Sequence, residues 1–227
     1  MVHFTGYGKE TIKTHKTSPD AWVQMVKQLA FYRLFNRPGV TYESCQTRKY
    51  LLGRTEVIRS VSNESKAFCE AMIDSKASDA DRAKLFKDAA TRHGQYAAWA
   101  ADAQGVDRHL FGLKRLVKDG EEVPELYKDE VFAKSGHWEM STSQLSSKWL
   151  DGWGYGEGEL YTERVVWLKL MAVVEDGYGL SYAIGDNDVR WCVTTKNNDA
   201  EKFGKALESA AEEIRGMMDR AAGKAKL

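Results

Sequence analysis

The order of apolar and polar positions divides the chain into a helix-rich first part and a strand-rich later part. Ser18-Pro19-Asp20 has the residues of a helix start: a capping hydroxyl, a proline at the first helical position and an acid at the positive end. Trp22, Val26, Leu29, Ala30 and Phe31 follow at helical spacing, and Asn36-Arg37-Pro38-Gly39 stops the pattern. Val40 to Cys45 is short and β-prone, and Arg54 to Arg59 leads into Ser62-Asn63, a cap for a helix to about Ser75. A longer helix is predicted from Ser78-Asp79 to about Ala103, with Leu85, Phe86, Ala89, Tyr96 and Trp99 as its apolar stripe. Asp107 to Val117 and Pro124 to Val131 predict two more helices. After Ser135-Gly136 the period changes. Trp138 to Gln144 reads as a strand, and Tyr178 to Ile184 pairs with Val189 to Thr195 around the turn Gly185-Asp186-Asn187-Asp188. A last amphipathic helix, from about Asp199 to Ala222, buries Phe203, Leu207, Ala210, Ile214 and Met217. The pattern is that of an α/β protein.

Composition changes this picture little. A chain of 227 residues that is 43% hydrophobic and 29% charged reads as one soluble domain. With 33 basic and 33 acidic residues, nothing in the balance calls for nucleic acid or a membrane surface. The cysteines Cys45, Cys69 and Cys192 are odd in number and widely spaced, which suits a reducing compartment and neither a disulfide framework nor a zinc site. Met1 to Gly6 has the character of neither a signal nor a transit peptide, and no apolar run is long enough to span a bilayer. Ala225-Lys226-Leu227 is close to the Ser-Lys-Leu peroxisomal address; without that signal a cytoplasmic protein is expected.

Candidate chemistry lies in three places. Tyr42, Ser44 and Thr55 are hydroxyls near the ends of short extended segments, where they can hold a carboxylate, with Arg54, Arg59 and Arg108 as possible guanidinium partners. On a strand, Ser141 and Ser143 share one face and Thr142 takes the other, so two hydroxyls can donate to one oxyanion. Lys9, Lys13 and Lys16 recur every three or four residues just before a helix start, an arrangement suited to phosphate. On spacing alone, turn caps and an edge strand are the simpler readings of the first two sets, and a solvated basic face competes at least equally for the third. Of the histidines, His109 follows the charged pair Asp107-Arg108, and packing of a helix is its simpler role.

Taken together, the stretches GKETIKTHKTSPDAWVQ, QLAFYRLF, TYESCQTRKYLLGRTEVIRS, DRHLFGLKRL, MSTSQ and DGYGLSYAI resemble the carnitine/choline acyltransferase family, in the family's order and over nearly the whole chain. The resemblance implies the C-terminal lobe of a two-lobed, chloramphenicol-acetyltransferase-like fold, a mixed sheet flanked by helices. It implies transfer of a short acyl group between coenzyme A and carnitine, without a metal, in a peroxisome or mitochondrion. By position in the family, Lys9, Lys13, Asp20 and Gln144 contact coenzyme A. Tyr42, Ser44, Thr55 and Arg108 hold the carnitine carboxylate, Ser141 and Ser143 meet carnitine and the oxyanion, and Tyr155 lies beside the trimethylammonium group.

The chain departs from the family at several points. An arginine that the family can use near coenzyme A is Gly94 here, and a proline before the Asp-Gly-Tyr-Gly turn is Glu175. Gly158 to Ala172 has no counterpart in the family. Codons for its flanks can carry splice sites, so the segment reads as a retained intron, with a surface insertion as the alternative. The family's catalytic histidine belongs to the N-terminal lobe, and no histidine of this chain lies in a matching motif. The resemblance therefore implies an isolated lobe that lacks its base and exposes apolar surface meant for a partner lobe.

Overall fold

The computed structural model describes residues 1–144 and 173–223. Tyr155, the segment Gly158 to Ala172 and the tripeptide Ala225-Lys226-Leu227 lie outside the described residues. The elements run β1 (Val2–Phe4), α1 (Lys9–Thr14), α2 (Pro19–Phe35), β2 (Thr41–Gln46), β3 (Thr55–Arg59), α3 (Asn63–Ile73), α4 (Asp79–Ala101), α5 (Asp107–Arg115), α6 (Glu125–Lys128), α7 (Glu130–Ser135), β4 (Met140–Gln144), β5 (Tyr178–Ile184), β6 (Val189–Thr195) and α8 (Ala200–Ala221).

The strands form one six-stranded mixed sheet in the order β1-β6-β5-β4-β2-β3. β4 pairs parallel with both β2 and β5, and the remaining pairs are antiparallel. Parallel pairing requires a crossover, and the long path from β2 through α3 and α4 to β4 supplies one. The core joins α2, α3, α4 and α8 to one face of the sheet through Trp22, Leu29, Phe68, Phe86, Leu207 and Trp191. At its centre, Trp22 donates its indole N–H to the Tyr7 hydroxyl (2.9 Å) and meets Phe86 edge-on.

Local chemistry explains most boundaries. Ser18 caps α2 with Pro19 in its first turn, as expected, and Asn36 ends it in the left-handed conformation. Ser62 and Ser65 form a reciprocal capping box at α3. Asp199 caps α8. The single helix expected from Pro124 to Val131 is two helices, because the Asp129 carboxylate accepts from the amides of Val131 and Phe132 and starts a new one. β1 escapes the sequence pattern because it is three residues long and forms only by pairing with β6. Gly8 is needed where α1 meets the β5–β6 turn: a Cβ there would come within 2.5 Å of the backbone of Gly185 and Asp188. The turn before β5 survives without proline, closed by the Gly177 N–H on the Val174 carbonyl.

Burial departs from the sequence pattern on two helices. On α2, where Trp22, Val26, Leu29, Ala30 and Phe31 recur at helical spacing, every residue from Ala21 to Tyr32 is buried, Gln24, Lys27 and Gln28 included. On α4, Trp99 is 44% exposed, and the Arg92 guanidinium stacks on it and on Tyr96.

Candidate active site

The two faces of the sheet have opposite chemistry, and strand alternation sorts the residues between them. Thr142 faces the helices, where its hydroxyl accepts from the Gln24 amide (3.0 Å). Its neighbours Ser141 and Ser143 therefore face the other way, as the spacing predicts. Register places Tyr42 beside Ser141 and Ser181 beside Ser143, so these side chains share that face. The antiparallel pairing of β2 with β3 adds Ser44, opposite Val57, and Thr55, opposite Gln46.

Arg108 completes the set. From the first turn of α5 its guanidinium donates to the Tyr42 hydroxyl (3.3 Å), the Thr55 hydroxyl (3.2 Å) and the Thr55 carbonyl (3.3 Å). Asp107 holds α5 in place through Arg59 (2.7 Å and 3.0 Å), and Arg59 also stacks over Trp138, which meets Tyr42 edge-on. The structure thus brings together Tyr42, Thr55 and Arg108, residues far apart in sequence. Ser44, Ser141 and Ser143 line the same face, and Gln144 is exposed at the end of β4. Arg59 is committed to Asp107 and to the Ser135 carbonyl. Ser181 was missed by sequence reasoning. Its hydroxyl is buried without a hydrogen-bond partner among the described residues, and the alternation of Gly179, Ser181 and Ala183 was the signal that could have found it.

The basic set is split. Lys9 pairs with Asp186 (2.6 Å) and Lys13 with Glu10 (3.1 Å), so they do not form one stacked row. Lys16 follows α1 in the left-handed conformation and lines an open groove of about 600 Å³ with Lys84, Lys87 and the small apolar walls of Ala80, Ala83 and Ala221.

Asp20 has a different setting from that of a surface helix-start acid. Its carboxylate accepts the Tyr182 hydroxyl proton under the sheet. Around it lies a charged cluster that sequence reasoning missed. Glu43 accepts from His93 and Ser60, both at 2.7 Å, and Lys27 is fully buried with its ammonium 3.1 Å from the centre of the Tyr182 ring and no hydrogen-bond partner among the described residues. Burial, then the Glu43 charge, pushes Asp20 up to about 6. Burial pulls Lys27 down to about 7. Burial acts upward on Glu43, but the His93 bond and charge and the Lys27 charge outweigh it and hold the carboxyl below its ordinary value. Burial acts downward on His93, and Glu43 outweighs it and raises the imidazole. Ligand atoms of Asp20, Glu43 and His93 lie within 4.8 Å of one another, a spacing that suits a metal, but the Lys27 ammonium already supplies positive charge there. The available signal was a polar stripe, Asp20, Gln24, Lys27 and Gln28, on an otherwise apolar helix.

The histidines are mostly taken. His3, His15, His93 and His137 each face a carboxylate, on Asp188, Asp219, Glu43 and Asp176. His109 is exposed on α5, which buries no residue, so it does not pack a helix as expected.

The sequence profile of the choline/carnitine O-acyltransferase family matches residues 1–209. The chain belongs to that family. It is 37% identical over 220 residues to "Carnitine O-acetyltransferase, mitochondrial" of Saccharomyces cerevisiae, covering 93% of this chain and 30% of that protein. It is 35% identical over 224 residues to "Choline O-acetyltransferase" of Gallus gallus, covering 96% and 33%. It is 34% identical over 232 residues to "Carnitine O-acetyltransferase" of Columba livia, covering 100% and 34%. The chain thus spans about a third of the length of these acyltransferases. Among the described residues, no helix is long and apolar enough to cross a membrane.

Proposed function

We propose that this chain supplies the carnitine- and coenzyme A-binding lobe of a carnitine O-acetyltransferase-type enzyme. The carrying observation is the Arg108 guanidinium set among the hydroxyls of Tyr42 and Thr55. A carboxylate joining that set gains a charge-assisted hydrogen bond. Carnitine has a carboxylate and choline has none, so the clamp favours carnitine. Ser44 adds a hydroxyl on the same face, and Tyr155 is the proposed neighbour of the trimethylammonium group.

In the proposed reaction the carnitine hydroxyl oxygen attacks the thioester carbon of acyl-coenzyme A. The carbonyl oxygen gains charge and takes hydrogen bonds from Ser143 and Ser141. The C–S bond then breaks, and the proton lost by carnitine goes to the departing sulfur by way of a base. That base is the histidine expected from outside this chain. Lys9 and Lys13 take the phosphates of coenzyme A, and Asp20 and Gln144 line its path.

Two outcomes are expected in solution. Assays of acetyl-coenzyme A with carnitine give no turnover above background with this chain alone. Calorimetry with each ligand separately detects binding, and Arg108→Ala weakens carnitine at least about tenfold, the scale of one charged hydrogen bond, while coenzyme A binding is unchanged. Turnover by the isolated chain, or equal carnitine binding by the variant, overturns the reading. A lobe that binds coenzyme A but not carnitine favours the alternative, a non-catalytic coenzyme A-binding lobe or inactive gene fragment.

Gly94 allows a gain-of-function test. It lies inside α4, and a Cβ built there meets nothing within 4 Å. Gly94→Arg should be accommodated, raise stability by about 0.5–1 kcal/mol by removing a mid-helix glycine, and tighten coenzyme A binding. A lower urea midpoint or unchanged affinity counts against the proposed path of the cofactor.

A further inference from the structure

A cleft of about 570 Å³ lies between the start of α3, the middle of α4 and Pro38 just beyond α2. Arg92, His93 and Tyr96 form its α4 wall. The Arg92 guanidinium lies over the rings of Tyr96 and Trp99, which leaves its edge for hydrogen bonds. One nitrogen of that edge, Nη1, is buried without a hydrogen-bond partner among the described residues. His93 is 4% exposed, and its Nε2 is taken by Glu43. Its Nδ1 is buried and also lacks a partner among the described residues. Burial acts downward on the imidazole and Glu43 outweighs it, and the protonated ring carries a donor on each nitrogen. Buried donors normally meet an acceptor, and two such donors stand in one wall. The opposite wall is the start of α3. Its capping box occupies the amides of Ser62 and Ser65, while helix geometry leaves those of Asn63 and Glu64 without an intrahelical acceptor. Lys66 adds an ammonium group that pairs only at 3.6 Å with Glu70. Arg59 is already held by Asp107, and Glu64 is the one acid among the described lining residues.

We propose that this cleft binds a small phosphate monoester, its phosphate held by the Arg92 guanidinium, the Lys66 ammonium and the first-turn amides of α3, with His93 donating from the floor. The donors converge from two helices, and a phosphate offers three strong acceptor oxygens where a carboxylate offers two. The positive end of α3 favours the same charge. The cleft is larger than a phosphate ion needs, and Pro38, Val61 and Tyr96 give it apolar wall for an organic group. It is separate from the cofactor path proposed above. None of its described lining residues belongs to α1, which carries Lys9 and Lys13. Gly94 lies two residues from both Arg92 and Tyr96, and at 3.6 residues per turn it points to the opposite side of α4.

The test titrates the full chain, labelled with nitrogen-15, with glycerol 3-phosphate at constant ionic strength and without coenzyme A or carnitine. The amide signals of Asn63, Glu64, Arg92 and His93 should move and saturate. Inorganic phosphate should bind the same residues more weakly, and acetate should give no saturable shift. Arg92→Gln should weaken glycerol 3-phosphate by at least about tenfold, the scale of a charged hydrogen bond. Asn63→Pro deletes one amide donor at the first helical position, where proline suits the helix, so the urea midpoint should not fall. Its affinity should drop by at least about fivefold, the scale of one hydrogen bond. Lys9→Ala with Lys13→Ala should leave these shifts unchanged. The proposal is overturned if no signal saturates, if acetate binds as tightly, or if the double lysine variant abolishes the shifts. It is also overturned if either Arg92→Gln or Asn63→Pro, folded by circular dichroism, keeps the wild-type affinity.

Discussion

Glu43→Ala is expected to destabilise the chain by about 3–5 kcal/mol, the usual cost of removing one partner of a buried ion pair. The carboxylate is 4% exposed and accepts from both His93 and Ser60. Without it, His93 and Lys27 lose the partner that favours their charged forms, and the Ser60 hydroxyl loses its acceptor. Glu43→Gln keeps an acceptor but removes the charge, so its loss should be smaller. Urea unfolding at neutral pH measures both. A loss below about 1 kcal/mol for the alanine variant, the scale of an ordinary hydrogen bond, would show that the cluster does not act as a coupled unit. The wild-type contribution of Glu43 is present above its ordinary carboxyl value and is lost as pH falls through its lowered folded value.

Lys27 should reverse the usual pH behaviour of a lysine. Its folded value is about 7 against an ordinary 10.5. Between these values the unfolded chain binds more protons than the native one, so stability rises with pH. Below pH 7 the cost of the buried charge is present in full. Lys27→Met removes this term. The stability of the wild type relative to the methionine variant should therefore climb from about pH 7 toward 10.5, by up to about 1.4 kcal/mol per pH unit. His93 acts in the opposite direction. Its raised value gives stability that is full below its ordinary 6.5 and fades as pH rises through the folded value. It is present in both proteins, and the Lys27 charge lowers it, so the difference reports Lys27 together with its coupling to His93. Parallel profiles for the two proteins would show a lysine that titrates as if exposed.

Much of the secondary structure was legible because its signals are local. The Ser18-Pro19, Ser62 and Asp199 caps start their helices where the sequence places them. The β5–β6 hairpin forms around its predicted turn. The strand alternation that separates Ser141 and Ser143 from Thr142 is a property of any extended segment. Legibility failed where a third element decides the outcome. β1 depends on β6, the buried polar stripe of α2 depends on Glu43 and Tyr182 beneath it, and α5 is held by polar contacts of Arg59 and Arg108 rather than by an apolar face.

The sequence by itself determined the α/β pattern, the hydroxyl-bearing strands and, through the joint occurrence of TYES, GRTEVIR and STSQ, the family. Only the tertiary structure decided which side chains meet. It brought Arg108 to Tyr42 and Thr55, moved Ser181 beside Ser143, split the lysine row between Asp186 and Glu10, and turned Asp20 inward to share a buried cluster with Lys27, Glu43 and His93. The physical reason is range. Caps, turns and strand alternation act over a few residues, whereas desolvation and ion pairing depend on sheet order, which joins β2, β4 and β5 across distant parts of the chain.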